Sequence, residues 1–138
     1  LDINNRDDHA VKQFLKEANN VRNLRVHPNV CTVLGVCVDP QHPICIVMEF
    51  LSQGSLDDLL YHHVIKMDAK RLISFGKQIA SGMGHLHAEN VLHCDLACRN
   101  ILVDNQGSEY VLKIADFGLS RVTEQSEYSA SDKTFPIR

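Results

Sequence analysis

The stretch His93-Cys94-Asp95-Leu96-Ala97-Cys98-Arg99-Asn100, taken with Asp116-Phe117-Gly118, decides how this chain is read. An Asp and an Asn share one loop, and a second Asp follows the next pair of apolar runs. Those runs, Ile101-Leu102-Val103 and Tyr110-Val111-Leu112-Lys113-Ile114, flank Asp104-Asn105-Gln106-Gly107-Ser108, whose composition is that of a turn. A β-hairpin is therefore expected. A hairpin brings its two ends together, so Asn100 and Asp116 are expected to converge on one oxygen-lined point. Hard cations such as Mg²⁺ take oxygen ligands, with few from protein where phosphates supply the rest. Asp95, in the same loop as Asn100, is left to accept a proton or orient a nucleophile. That is a phosphoryl-transfer arrangement, although spacing alone leaves a hydrolase open.

Before this loop, Leu72, Phe75, Ile79, Met83 and Leu86 recur at steps of three and four and predict a helix from about Asp68 to Ala88. Gly76, Gly82 and Gly84 are costly inside a helix, and close packing against a neighbour is the expected reason for them. Ser55, after the break Ser52-Gln53-Gly54, reads as the N-cap of a short helix reaching about Tyr61. Two β-rich runs, Val30 to Val38 and Ile44 to Phe50, flank the turn-like Asp39-Pro40-Gln41-His42-Pro43 and predict an antiparallel pair. An amphipathic helix is expected from about Asp8 to Asn23, ended by His27-Pro28-Asn29. Beyond Asp116 periodicity disappears, and Thr123 to Lys133 is polar and expected to be mobile.

At 138 residues one domain is expected. The net charge of −3 and the scattered Lys and Arg leave no basic stripe, which argues against nucleic acid as a partner. No apolar run is long enough to cross a bilayer, and the Leu1-Asp2-Ile3-Asn4 start is unlike a signal peptide. Five cysteines, an odd number with three in apolar strand-like runs, suit reduced thiols. No Cys or His spacing matches a structural zinc site.

The loop resembles the protein kinase catalytic loop, H-R-D-L-x-x-x-N, and Asp116-Phe117-Gly118 resembles the metal-binding motif of that family. Ala97, with Arg99 four residues after Asp95, resembles the D-L-A-A-R-N form of protein tyrosine kinases, and Phe135-Pro136-Ile137-Arg138 is similar to their substrate-presenting segment. The resemblance implies an α+β, two-lobed protein kinase-like fold, of which this chain is a fragment cut at both ends. Residues 1–50 would supply the αC helix and two strands of the small lobe, and 49–54 the hinge. Residues 55–138 would supply the first large-lobe helices, catalytic loop, Asp-Phe-Gly motif and activation loop. Lacking a Gly-rich loop and the ATP-contacting lysine, the fragment is expected to be inactive alone. Cut before the A-P-E segment and the later large-lobe helices, it is also expected to expose apolar surface and be poorly soluble.

The activity implied is transfer of the γ-phosphate of ATP, with Mg²⁺ or Mn²⁺, to tyrosine hydroxyls of protein substrates. A pseudokinase, a non-catalytic binding module on the same fold, is the alternative. By resemblance, Asp95, Arg99 and Asn100 are the catalytic set, and Asn100 with Asp116 would hold the metal. Met48 would be the gatekeeper, the backbone of Glu49 and Leu51 would bond the adenine, and Leu102 would pack beneath it. Glu17 would pair with the ATP-contacting lysine. Phe117, Gly118 and Tyr128 would be regulatory positions. A cytoplasmic setting is implied, at a membrane only if the parent is a receptor or is tethered. Besides these truncations, a third departure matters. Cys94 stands where the family has arginine, and it offers no cation to a phosphorylated Tyr128. Activity largely independent of Tyr128 is the expectation.

Overall fold

The computed structural model describes residues 23–39, 41–62, 65–107 and 109–116, together with the backbone of 121–122. Glu17, Phe117, Gly118 and Tyr128 lie outside the described residues. So do the helix expected from Asp8, apart from Asn23, and the polar 123–133 segment. In chain order the elements are β1 (Val33–Cys37), β2 (Cys45–Met48), α1 (Leu56–Tyr61), α2 (Ala69–Ala88) and β3 (Val91–Leu92). A 3₁₀ turn (Cys98–Asn100), β4 (Ile101–Gln106), β5 (Glu109–Ile114) and β6 (Arg121–Val122) follow.

The local signals act as expected at both helix starts. Ser55 accepts from the Asp58 N–H and Asp68 from the Arg71 N–H, each satisfying an otherwise orphaned first-turn donor. Strands β1 and β2 pair antiparallel, with Val36 opposite Ile46. Strands β4 and β5 form the expected hairpin, but its ladder runs on to Gln106 and Glu109. The turn expected from composition is thus shorter than its five residues, because Asp104, Asn105 and Gln106 are held in the ladder by their partners. Two further elements had no sequence signal, being too short for any periodicity: the β3–β6 pair and the 3₁₀ turn.

One face of the β4–β5 hairpin is closed by α1 and α2, where Ile101, Val103 and Leu112 pack with Leu56, Leu59 and Phe75. Leu86 and Ile114 join Val30, Val33 and Val91 in a second apolar cluster. The expected apolar stripe of α2 is thereby only partly realised. Phe75 and Leu86 are buried, whereas Leu72 is 63% exposed, although its neighbour Arg71 lies over the Tyr110 ring of the hairpin.

The α2 glycines divide in the same way. A Cβ on Gly82 would lie 2.5 Å from the Asn29 carbonyl oxygen and 2.8 Å from Ile114 Cδ1, so close packing does explain this one. Nothing described lies within 4 Å of a Cβ on Gly76 or Gly84, and the packing explanation fails there. The contact at Gly82 is the seam through which residues 29–32 dock. Asn29 Nδ2 donates to Gln78 Oε1 at 3.1 Å and to the Leu112 carbonyl at 2.9 Å, and Ile114 N–H donates back to the Asn29 carbonyl at 3.0 Å. Gly82→Ala is therefore expected to lower stability by about 1–3 kcal/mol, the range for overpacking. Gly84→Ala should be neutral or slightly stabilising in the same denaturant titration, since helix propensity is then the only change.

Candidate functional site

The loop from His93 to Asn100 is held in place from its first residue. The buried His93 ring bridges two backbones. Its Nε2 lies 2.9 Å from the Ala115 carbonyl, and Nδ1 accepts the Asp95 N–H at 3.3 Å. Those partners match the tautomer with hydrogen on Nε2. One imidazole thus ties the loop bearing Asp95 to the residue preceding Asp116. His93 is structural here, a bridge rather than a base.

Within the loop the geometry gathers three of the expected residues. Arg99 Nη2 donates to Asp95 Oδ1 at 2.7 Å and Oδ2 at 2.9 Å. Asn100 Nδ2 donates to the Asp95 carbonyl at 2.8 Å and to Asp95 Oδ2 at 3.0 Å. Charge-assisted bonds of this length are the strong ones, and they fix the carboxylate in one orientation. The 3₁₀ turn makes this possible: Asn100 N–H bonds the Ala97 carbonyl at 2.9 Å, folding Asn100 back over Asp95.

The hairpin brings the second loop alongside. Ile101 pairs with Ile114, and Ala115 N–H donates to the Asn100 carbonyl at 2.8 Å. Asp116 comes next in the chain, with its side chain exposed and its backbone at φ 59°. Asp is among the few residues that enter this left-handed region readily, and conformations of this kind gather at functional sites. Both oxygen donors expected to hold a metal, the Asn100 amide oxygen and the Asp116 carboxylate, thus belong to adjoining ends of one hairpin. The donor set is oxygen only, which fits a hard cation. Cys94 also has a left-handed backbone, at φ 64°, and its thiol is exposed, 3.6 Å from the Leu92 carbonyl.

A third cluster gathers the residues expected around the base. Cys31, Leu51 and Ala115 are buried together, with Met48 and Leu102 packed against them. Leu51 follows β2 and is held where residues 53–55 lie along β4. Gln53 N–H donates to the Val103 carbonyl at 3.0 Å, and Val103 N–H to the Gly54 carbonyl at 2.9 Å. Gly54 turns the chain there at φ 74°, a conformation glycine adopts without penalty. Burial, followed by the nearby Glu49 carboxylate, pushes the Cys31 thiol up to about 11. A thiol held protonated in this way is a poor nucleophile at neutral pH.

Glu49 is less simple than its expected backbone role. Its N–H donates to the Thr32 carbonyl at 3.0 Å, while its carboxylate accepts the Thr32 N–H at 2.7 Å and both oxygens take Lys113 Nζ, at 2.9 and 2.8 Å. Burial raises the Glu49 carboxyl, but the bonds from Lys113 and Thr32 outweigh it and leave the group below its ordinary range. Lys113 was missed in the sequence. Its only signal was strand alternation, which puts it on the same hairpin face as Leu102 and Ala115.

Comparison with known proteins sets this geometry in a family. A model of the protein tyrosine and serine/threonine kinases matches residues 2–138. Tyrosine-protein kinase Abl of Drosophila melanogaster is 40% identical over 134 residues, covering 96% of this chain and 8% of its own length. Tyrosine-protein kinase SRK2 of Spongilla lacustris is 39% identical, covering 91% of the chain and 33% of its own length. Tyrosine-protein kinase Fer of Homo sapiens is 39% identical, covering 91% and 15%. The chain thus spans a third or less of the length of these three relatives. Its helices and strands are part of the kinase fold, and the catalytic-loop and Asp-Phe-Gly motifs lie within the matched residues. The chain belongs to the protein tyrosine and serine/threonine kinase family.

Proposed function

We propose that the protein of which this chain is part transfers the γ-phosphate of ATP to tyrosine hydroxyls of protein substrates. The observation that carries this reading is the bonded set Asp95–Arg99–Asn100 at the mouth of the hairpin that leads to Asp116. Tyrosine as the acceptor is supported by Ala97 and Arg99 and by the printed names of the similar kinases. In the proposed layout residues 1–50 belong to the small lobe, 49–54 form the hinge and 55–138 begin the large lobe. The base would rest between Met48, Leu51 and Leu102, with the backbone of Glu49 and Leu51 facing its edge. The setting proposed is the cytoplasm or the cytoplasmic side of a membrane; no described helix is long and apolar enough to cross a membrane.

Phosphoryl transfer asks the protein mainly for position and charge, because little covalent chemistry falls to its side chains. Asp95, fixed by Arg99 and Asn100, would accept the hydrogen bond of the incoming phenol and orient its oxygen for attack. Arg99 would place a cation beside both the phenol and the transferring group. Asn100 and Asp116 would hold Mg²⁺ or Mn²⁺, which when bound offsets the negative charge of the ATP phosphates. Glu17 would orient the ATP-contacting lysine, a role that falls outside the described residues.

The test is incorporation of labelled γ-phosphate from ATP into a tyrosine-containing polymer by the intact protein with Mg²⁺, read as label on the polymer. Signal on tyrosine and none on a serine polymer is expected. Nucleotide binding without transfer would instead make it a binding module, the pseudokinase reading. Cys94 adds a second expectation. With no cation at that position to receive a phosphate, Tyr128→Phe should leave the initial rate within about twofold of wild type. A tenfold loss in that assay would show that phosphorylated Tyr128 is held by some other group.

A further inference from the structure

Strand pairing sets two thiols opposite each other on an open face. The register of β1 and β2 places Cys37 against Cys45, the pair at the end of the ladder beside the turn. Residues opposite one another in an antiparallel pair project to the same face. The neighbouring pair, Val36 and Ile46, projects to the other face, where Ile46 packs against the cluster of Val30, Val33, Leu86, Val91 and Ile114. Cys37 and Cys45 therefore stand on the face turned away from that core, together with Gly35 and Val47. Cys45 is exposed, Cys37 is half-buried, and Val47 is 46% exposed. A Cβ on Gly35 would meet no described atom within 4 Å, so the approach to the two thiols is open on that side.

Both thiols are free, and their spacing suits a bond between them. Facing Cα atoms in an antiparallel ladder lie about 4.5 or 5.5 Å apart, according to the type of pair, and a disulfide accepts about 4.4–6.8 Å. The Cβ atoms of such a pair must approach by roughly 1 Å for the sulfurs to join. Because the ladder ends at this pair, that closure bends strand ends and leaves Val36 and Ile46 in register. No other described thiol faces a second one across a ladder. Cys31 is buried, and Cys94 and Cys98 lie off the strands.

We propose that Cys37 and Cys45 form a dithiol site for peroxide, which closes reversibly to a disulfide across β1 and β2. The inference is independent of the proposed phosphoryl transfer, since neither cysteine belongs to the residues assigned to it. The exposed Cys45 thiolate attacks one oxygen of hydrogen peroxide, the O–O bond breaks, and the departing hydroxide takes up a proton to become water. Cys45 is then a sulfenic acid. The Cys37 thiolate attacks the Cys45 sulfur, the S–S bond forms, and the S–O bond breaks as hydroxide leaves and is protonated to a second water. The two thiols together lose two electrons and two protons, which reduce the peroxide. Exposed disulfides that carry strain are the readily reduced ones, so a dithiol reductant reverses the step.

The test is peptide mapping by mass spectrometry of the intact, folded protein after exposure to hydrogen peroxide, with remaining thiols alkylated before digestion. Cleavage before Asp39 separates Cys37 from Cys45, so a bond between them appears as two peptides held together. That link should exceed every other cysteine pairing by at least about tenfold, because facing thiols act at high effective concentration. Dithiothreitol added to the folded protein should return both thiols. In Cys37→Ser the second step is removed, and capture of the Cys45 sulfenic acid by dimedone should rise at least about tenfold over wild type. Sulfinic acid at Cys45 of the wild type with Cys37 still a thiol overturns the inference. So does a link from either residue to a different cysteine, or a link that dithiothreitol leaves intact. A Cys45 that peroxide does not modify overturns it too, by showing that this face is covered in the intact protein. These outcomes are read on the wild type, so they stand whether or not Cys37→Ser folds, and none of them bears on phosphate transfer.

Discussion

Asp95→Asn is expected to lower turnover by about 10²–10⁴-fold, the range for removing a positioned proton acceptor. The KM for ATP should stay within about threefold, because the bonds to the Asp95 carboxylate come from Arg99 and Asn100 in its own loop, apart from the cluster of Met48, Leu51 and Leu102. The substitution is nearly isosteric, which matters in this loop. Asp95 receives Arg99 through both oxygens and Asn100 through one. An amide keeps one acceptor and the loop's shape, so the experiment separates loss of charge and basicity from collapse of the site. Thermal stability should fall only slightly, since the Asp95–Arg99 pair is half exposed and such pairs contribute little. Turnover within tenfold of wild type would remove Asp95 from the mechanism.

Much of the hairpin and its two loops was legible in the sequence, for a physical reason. Alternating apolar residues around a polar turn admit few conformations, and a hairpin then dictates that Asn100 and the residues before Asp116 lie side by side. The caps Ser55 and Asp68 were legible because they act within a turn of themselves. What periodicity could not say was what each face would meet. Leu72 and Phe75 share a stripe, yet only Phe75 reaches the hairpin. Gly76, Gly82 and Gly84 look alike until Asn29 docks against one of them. The polar network of Asn29, Gln78 and Leu112 was hidden for a related reason, because Asn and Gln ordinarily face water and their burial depends on partners far along the chain. Lys113 is the sharpest case. Its partner Glu49 lies 64 residues away, and nothing local to either residue distinguishes a hinge-spanning pair from two solvated charges.

Asp116→Asn should separate metal binding from proton acceptance. Asn tolerates the left-handed backbone found at this position, at φ 59°, whereas Ala would add strain. The change therefore removes charge while keeping the local turn, and stability should move by less than about 1 kcal/mol. Turnover at fixed Mg²⁺ is expected to fall about 10²-fold or more, as loss of several kcal/mol of charge stabilisation demands. The diagnostic is the dependence on cation. In Asp116→Asn the Mg²⁺ concentration giving half-maximal rate should rise at least tenfold, because a neutral amide replaces an anionic ligand. In Asp95→Asn that concentration should not move, since Asp95 is bound up with Arg99 and orients the phenol. Opposite behaviour of the two variants, with the cation dependence shifting in Asp95→Asn and not in Asp116→Asn, would exchange their roles. An unchanged rate and an unchanged Mg²⁺ dependence in Asp116→Asn would leave the hairpin's second end without a part in catalysis.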